Sequence, residues 1–173
     1  PYIYFLSPMI RESLLEWMGT GLGDIILIVD EAHNLVDYLR DMLTAQLSVK
    51  SLELAEEEAL EYGNQELSDI MTTVDFCVLL SNIIKKLGNE LLREDDALLP
   101  RTALEEELLL DISTTSKLRL LTNNLIFQGE GIKEAKRKQG RLPRSHIYHL
   151  GSFLRSWSDA DDEYYVKLIS DKR

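Results

Sequence analysis

The sequence contains a single cysteine, Cys77, and this scarcity limits the chemistry open to the chain. One cysteine excludes an intramolecular disulfide framework and any multi-cysteine metal site built from these 173 residues alone. Cys77 lies in the apolar run "VDFCVLL", which predicts a buried and unreactive thiol. Nothing requires an oxidising compartment, so we expect a cytoplasmic protein in a prokaryote or a nuclear one in a eukaryote.

Long hydrophobic runs are also missing. No apolar run reaches the roughly 18 residues that a membrane helix needs, so no membrane partner is expected. The opening "PYIYFLSPMI" is apolar, but it lacks a basic region and a small-residue cleavage site, so it is a poor signal peptide. Because the chain begins with proline rather than methionine, we expect it to be part of a longer protein.

Basic residues are scarce in the middle of the chain and acidic residues are scarce after it. Residues 51–111 hold 16 acidic and 4 basic side chains, whereas residues 117–155 hold 2 acidic and 9 basic ones. The net charge of −11 argues against a protein that simply coats nucleic acid, while the basic stretch keeps local contact open. The alternative is a solvated helix that balances the acidic body.

The candidate DNA contacts lie in and after the basic segment "GEGIKEAKRKQGRLPR". Lys133, Arg137 and Arg141, which are spaced by four residues, would share one face of a helix. Cations that contact phosphates and an aromatic ring that stacks on bases would suit single-stranded DNA. The full candidate set is Lys133, Lys136, Arg137, Arg141, Arg144, Tyr148 and Arg155.

Hydrophobic periodicity predicts a mainly helical fold. The apolar, β-branched run from Ile25 to Val29 is the exception: it predicts a short strand buried on both faces, which needs partner strands from elsewhere. Four predicted helices have both bounds: Asn34 to Leu43, Gln65 to Leu92, Thr115 to Phe127, and Ser145 to Trp157. Another helix is predicted to be capped by Ser7 and stopped by Gly19, and a further one to end at Gly63. The last is predicted to begin with a capping box formed by Thr102 and Glu105. Residues 95–101 are predicted to be a loop and "YYVKLI" a closing strand.

The predicted strand runs directly into Asp30, Glu31, Ala32 and His33. A strand that ends in Asp-Glu places two carboxylates at the carboxyl edge of a sheet. In nucleoside triphosphatases the first positions Mg²⁺, usually through water, and the second orients or deprotonates the attacking water. The phosphate-binding loop G-x-x-x-x-G-K-[ST] occurs nowhere in the chain, so these 173 residues alone should not hydrolyse ATP.

The stretch "IILIVDEAHNL" resembles motif II of superfamily 2 DNA helicases, most closely the XPD-like iron–sulfur repair helicases. The segment "PYIYFLSPMIRESLL" looks like the tyrosine-containing stretch that precedes motif II in that family. "RSHIYHLGSFLRSW" is similar to a late helix of the family's arch domain. The resemblance is most specific at residues 25–35 and weakest across the acidic middle.

The resemblance implies a segment of an ATP-dependent 5′→3′ DNA helicase of the nucleotide excision repair type. Asp30 would be the magnesium-associated aspartate, Glu31 the catalytic base, and His33 the coupler of nucleotide state to DNA binding. ATP and Mg²⁺ would be cofactors of the whole protein. Its [4Fe–4S] cluster would have no ligands here, because the family's cluster cysteines precede motif II and Cys77 follows it. Implied partners are single-stranded DNA, the rest of the helicase chain, and repair or transcription subunits docked on the arch.

On this interpretation residues 1–45 are part of a RecA-like motor domain, residues 46–160 form the helical arch, and residues 161–173 return towards the motor domain. The fold class is mainly α, with strand and helix fragments of an α/β motor domain at its flanks. The competing hypothesis is a free-standing acidic helical scaffold for protein interactions, in which "DEAH" is fortuitous.

Overall fold

The structure is a computed structural model that describes residues 2–69, 71–100, 102–160, 163 and 165–171. The chain divides into two compact units, residues 1–45 and residues 46–173. Both are dominated by helices, as the periodicity predicts, so the mainly α fold class is confirmed.

The first unit contains helices α1 (Ile3–Leu6), α2 (Pro8–Met18) and α3 (Leu35–Leu43), with 3-10 turns at Leu22–Asp24 and Ala32–Asn34. Helix α2 begins and ends where predicted, although the Ser7 side chain makes no capping hydrogen bond. Ser7 is extended at the N-cap, and Gly19 ends the helix with a left-handed φ of 65°, a conformation that glycine adopts without steric cost.

The strand predicted from Ile25 to Val29 does not form. This segment has no regular secondary structure, and Ile26 and Ile28 are 91% and 86% exposed. A strand is stable only when a neighbour satisfies its backbone hydrogen bonds, and the described residues of this unit include no second strand. An apolar run of this kind is left in water because the elements that would cover it are not supplied by this unit.

The second unit is built from α4 (Val49–Tyr62), α5 (Thr73–Leu91), α6 (Ala103–Ile112), α7 (Thr115–Lys138) and α8 (His146–Asp159). The unit also has two small antiparallel sheets of two strands each: β1 (Glu66–Ser68) pairs with β2 (Met71–Thr72), and β3 (Asp96–Leu98) pairs with β4 (Leu168–Ser170). The core contains side chains from α4, α5, α7 and α8 that are at most 1% exposed, among them Leu52, Phe76, Leu80, Leu121, Leu125, Ile147 and Leu150.

The helix predicted from Gln65 begins eight residues late, at Thr73. Thr72 and Asp75 form a reciprocal capping box: the Thr72 hydroxyl accepts from the Asp75 amide, and the Asp75 carboxylate accepts from the Thr72 amide. Leu67, which falls within the predicted helix, is buried at 2% exposed but lies in β1. Ile70, which falls within the same predicted helix, lies outside the described residues.

Helix α7 is longer than predicted, because it continues past Phe127 to Lys138. A Cβ atom on Gly129 would lie 2.5 Å from the backbone of Tyr148 in α8, and one on Gly151 would lie 2.7 Å from Ile126 in α7. The two glycines therefore let α7 and α8 approach closely. Glycine serves here as a packing residue rather than as a helix end.

Two smaller predictions are also corrected. Residues 96–98, predicted to be loop, form β3, which pairs with part of the predicted closing strand in the register Asp96↔Ser170. Tyr164, the first residue of that predicted strand, lies outside the described residues. Thr102 does not form a capping box with Glu105; its hydroxyl instead donates to the Glu106 carboxylate over 2.6 Å.

Candidate functional site

The acidic residues of "DEAH" lie in a tight turn of the first unit. Glu31 has a φ of 52°, which is uncommon for a residue with a side chain, and the chain then enters the 3-10 turn at Ala32–Asn34. The Asp30 carboxylate accepts a hydrogen bond from the Glu31 amide over 2.9 Å. This bond and the left-handed residue fix the direction in which the two carboxylates leave the backbone.

The Tyr2 hydroxyl holds this turn from the other end of the unit. It donates to the carbonyl oxygens of Asp30 and Glu31, at 2.6 Å and 2.9 Å, and its ring packs edge-on against Tyr38 with 5.6 Å between centroids. Tyr2 is a residue that sequence reasoning missed. No local spacing connects positions 28 residues apart, so the sequence carried no signal for this contact.

Both carboxylates and the histidine are open to solvent. His33 Nδ1 lies 3.2 Å from Glu31 Oε2, with these side chains 73% and 65% exposed. Neighbouring carboxylate oxygens suit Mg²⁺, which prefers oxygen ligands and keeps several of its waters. No group of three metal-binding side chains occurs among the described residues, so Asp30 and Glu31 would need phosphate oxygens and water to complete the coordination of magnesium.

Several cations of the predicted basic site are already bound to carboxylates of the protein. Lys133 pairs with Glu130 at 3.0 Å and also lies 3.8 Å from the centre of the Tyr148 ring. Arg137 pairs with Glu134 one turn earlier on the same helix. Arg141 lies beyond the end of α7, so it does not share a helical face with Lys133 and Arg137, and that prediction is wrong.

Arg141 lies instead against α4. Its guanidinium donates to the Glu61 carboxylate at 2.9 Å and to the Tyr62 hydroxyl at 2.7 Å. The hydrogen bond that Arg141 donates to the Glu61 carboxylate raises the pKa of the guanidinium further above its ordinary value. Arg141 therefore ties the loop after α7 to the end of α4.

Lys136 belongs to the interior. Its ammonium pairs with Glu58, which is 4% exposed, and donates to the Arg144 carbonyl at 2.8 Å. The Ser145 hydroxyl and the Ile147 amide also donate to Glu58, at 2.7 Å and 3.0 Å. Burial alone would raise the pKa of Glu58, but the hydrogen bonds from Ile147, Lys136 and Ser145 outweigh it and lower the pKa. Lys136 and Glu58 thus hold the first turn of α8 in place.

Two of the predicted DNA contacts remain accessible cations. Arg144 is exposed in the loop before α8, and Arg155 is exposed on α8 with its guanidinium donating to the Asn123 side chain at 3.2 Å. Among the described residues, five cations between positions 117 and 155 have no ion-pair partner. They are Lys117, Arg119, Lys138, Arg144 and Arg155, and all are exposed.

Cys77 is confirmed as a buried residue of the core at 1% exposed. Burial, assisted by the charge of Glu56, raises the pKa of its thiol to about 12. A thiol with so little thiolate is a poor nucleophile and a poor metal ligand, so Cys77 takes no part in either candidate site. No helix in the described part of the chain is both long and apolar enough to cross a bilayer.

Residues 1–52 match the protein-family model DEAD_2. The ATP-dependent DNA helicase CHL1 of Kluyveromyces lactis is 37% identical over 65 residues, which cover 38% of this chain and 8% of the helicase. The Fanconi anemia group J protein homolog of Gallus gallus is 31% identical over 93 residues, or 53% of this chain and 7% of that protein. CHL1 of Saccharomyces cerevisiae is 29% identical over 106 residues, or 53% of this chain and 12% of the helicase. The chain spans about a tenth of the length of these relatives.

Proposed function

From the resemblance to XPD-like helicases that these matches confirm, we propose that the chain is the motif II and arch segment of an ATP-dependent 5′→3′ DNA helicase of the nucleotide excision repair type. The observation that supports this most strongly is the DEAD_2 match over residues 1–52, which includes the turn that carries the exposed side chains of Asp30 and Glu31. A fortuitous "DEAH" in a free-standing scaffold does not account for a match of that extent.

In this proposal each residue of the turn has a separate task. Asp30 would hold Mg²⁺, which would neutralise charge on the nucleotide phosphates. Glu31 orients the attacking water and accepts its proton. His33, whose Nδ1 lies 3.2 Å from Glu31 Oε2, links that carboxylate to the DNA-binding side of the motor.

The domain assignment follows from the same proposal. Residues 1–45 are the part of a RecA-like motor domain that carries motif II, residues 46–160 are the arch, and residues 161–173 return towards the motor. The exposed run from Ile26 to Val29 supports this division, since a buried motor strand would look like this without its neighbours. The rest of the full-length helicase, outside these 173 residues, would supply the phosphate-binding loop and the four cysteines of the [4Fe–4S] cluster.

The arch contacts single-stranded DNA through its exposed cations. Arg144 and Arg155 are the predicted contacts that the ion pairs leave available, while Lys133, Arg137 and Arg141 would have to exchange a carboxylate for a phosphate. Tyr148 would serve by keeping Lys133 in place. Lys136 has a structural role rather than a DNA contact, since its side chain is 12% exposed and bound to Glu58.

The proposal is tested by the DNA-stimulated ATPase activity of the full-length protein. We expect Glu31→Gln to lower the turnover number by a factor on the order of 100 to 10,000, because a general base contributes about that much. Asp30→Asn should raise the magnesium concentration needed for half-maximal activity. Glu12→Gln, an exposed carboxylate elsewhere in the first unit, is the matched control and should be neutral. Wild-type turnover by Glu31→Gln would refute the assignment.

A further inference from the structure

Phe127 is an aromatic residue that has no structural role to explain its position. It lies on α7 and is 80% exposed, more than any other aromatic side chain among the described residues of 46–173. Helix α7 buries its opposite face, where Leu121, Leu125 and Gln128 lie in the interior. Exposing a whole phenyl ring forgoes the free energy that burial would give, so an exposed ring in a cationic setting points to a ligand.

The surroundings of Phe127 carry unmatched positive charge. The Arg155 guanidinium is held by Asn123, which lies one helical turn before Phe127 on the same face of α7. Arg119 lies a further turn back and is exposed. Arg119, Asn123 and Phe127 are each four residues apart and so share one face of α7. This face therefore presents the Arg119 cation, the Arg155 guanidinium bound to Asn123, and the Phe127 ring.

The acidic residues of this region are already neutralised. Only Glu130 and Glu134 are acidic between positions 117 and 155, and they pair with Lys133 and Arg137. Arg119 and Arg155 are exposed and have no ion-pair partner among the described residues, and the acidic residues of their own segment are already matched. A surface of this charge suits a polyanion better than a neutral apolar partner.

We propose that Phe127 is a stacking platform for one base of a single-stranded nucleic acid, with Arg155 and Arg119 contacting the phosphates on either side. Aromatic rings next to cations bind single strands in this way without reading their sequence. The inference extends the proposed function, because it specifies how the arch would hold its strand. It adds a residue that the basic pattern did not indicate, since Phe127 precedes the basic segment.

The test compares two ligands of equal charge, oligo(dT) and an abasic oligonucleotide of the same length, by fluorescence anisotropy with the full-length protein. We expect Phe127→Ala to weaken oligo(dT) binding at least about fivefold while abasic binding stays unchanged, since only stacking requires a base. The dependence of affinity on salt should not change. Phe127→Trp should retain wild-type affinity, because indole stacks at least as well as phenyl.

Arg155→Gln should weaken both ligands and reduce the salt slope by about one, as loss of a phosphate contact does. Leu110→Ala, an exposed apolar side chain on α6, is the matched control and should change nothing. If Phe127→Ala binds oligo(dT) like the wild type, or weakens both ligands equally, the stacking platform is refuted and the face serves a protein partner. If Phe127→Ala weakens only oligo(dT) binding but the wild-type protein has no DNA-stimulated ATPase activity, the stacking platform stands. Only the helicase proposal is then refuted.

Discussion

Glu58 offers the sharpest test of how the helical unit is held together. It is a carboxylate on α4 that is 4% exposed, and it binds the Lys136 ammonium, the Ser145 hydroxyl and the Ile147 amide. Glu58→Gln keeps the shape of the side chain but removes its charge. Its amide group must also place a donor where one of these donors now lies.

The expected loss follows from the number of groups left without a charged partner. Removing one partner of a buried ion pair costs about 3–5 kcal/mol, because the other charge stays buried. Lys136 retains the Arg144 carbonyl and is 12% exposed, which offsets part of that cost. We therefore expect Glu58→Gln to lower the free energy of unfolding by about 2–4 kcal/mol.

The assay is denaturant unfolding of the 173-residue chain, followed by tryptophan fluorescence. In a Trp17→Phe background the remaining tryptophan, Trp157, reports on α8 alone, and Trp17 is 84% exposed, so its removal should be neutral. Glu57→Gln, an exposed neighbour on α4, is the matched control and should shift stability by less than about 0.5 kcal/mol. A Glu58→Gln loss no larger than that of the control would refute the structural role.

The dependence on pH provides a second reading of the same interaction. Because the folded pKa of Glu58 is lowered, its contribution is fully present above the ordinary value of 4.5 and is lost as the pH falls through the folded pKa. The difference in unfolding free energy between wild type and Glu58→Gln should therefore shrink below about pH 4.5. A difference that stays constant down to acidic pH would show that the carboxylate charge is not responsible.

Two further predictions concern packing and reactivity. Gly129→Ala and Gly151→Ala should each destabilise the chain by about 1–3 kcal/mol, because the added methyl group overpacks the contact between α7 and α8. Gly131→Ala, whose Cβ meets nothing within 4 Å, should instead stabilise α7 by up to about 1 kcal/mol. Equal effects of all three substitutions in chemical denaturation would contradict the close approach of the two helices. Cys77, with a pKa raised to about 12 from 9.0, should be alkylated roughly a thousandfold more slowly in the folded than in the unfolded chain at pH 8, and similar rates would show that it is accessible.

Most of the helices could be predicted from local patterns in the sequence. The ends of α2, α3 and α8 and the C-terminal end of α4 were predicted to within a few residues, because signals such as Gly19, Gly63 and the Ser145 cap act over one turn. The start of α5 was missed, because long-range contacts hold the segment before it. Asn124 donates to the Leu67 carbonyl, and Gln128 donates to the Gly63 carbonyl, across 57 and 65 residues of sequence. A periodic pattern contains no information about such partners.

The candidate sites divide in the same way. Asp30, Glu31 and His33 could be proposed from one continuous stretch, whereas the Tyr2 hydroxyl that holds their turn could not. The basic segment was visible as a run of charge, but the partners that occupy Lys136 and Arg141 come from α4, about 80 residues earlier. Sequence composition therefore found the cations, and only the fold separates those that are bound internally from those that are exposed.

The most direct test of the central claim is strand displacement by the full-length protein on duplexes with a single-stranded 5′ or 3′ tail. The account predicts unwinding of the 5′-tailed duplex with ATP and Mg²⁺, little unwinding of the 3′-tailed one, and none by Glu31→Gln. Absence of unwinding from the 5′ tail, or unwinding by Glu31→Gln at the wild-type rate, would contradict the assignment of this chain to a helicase motor and its arch.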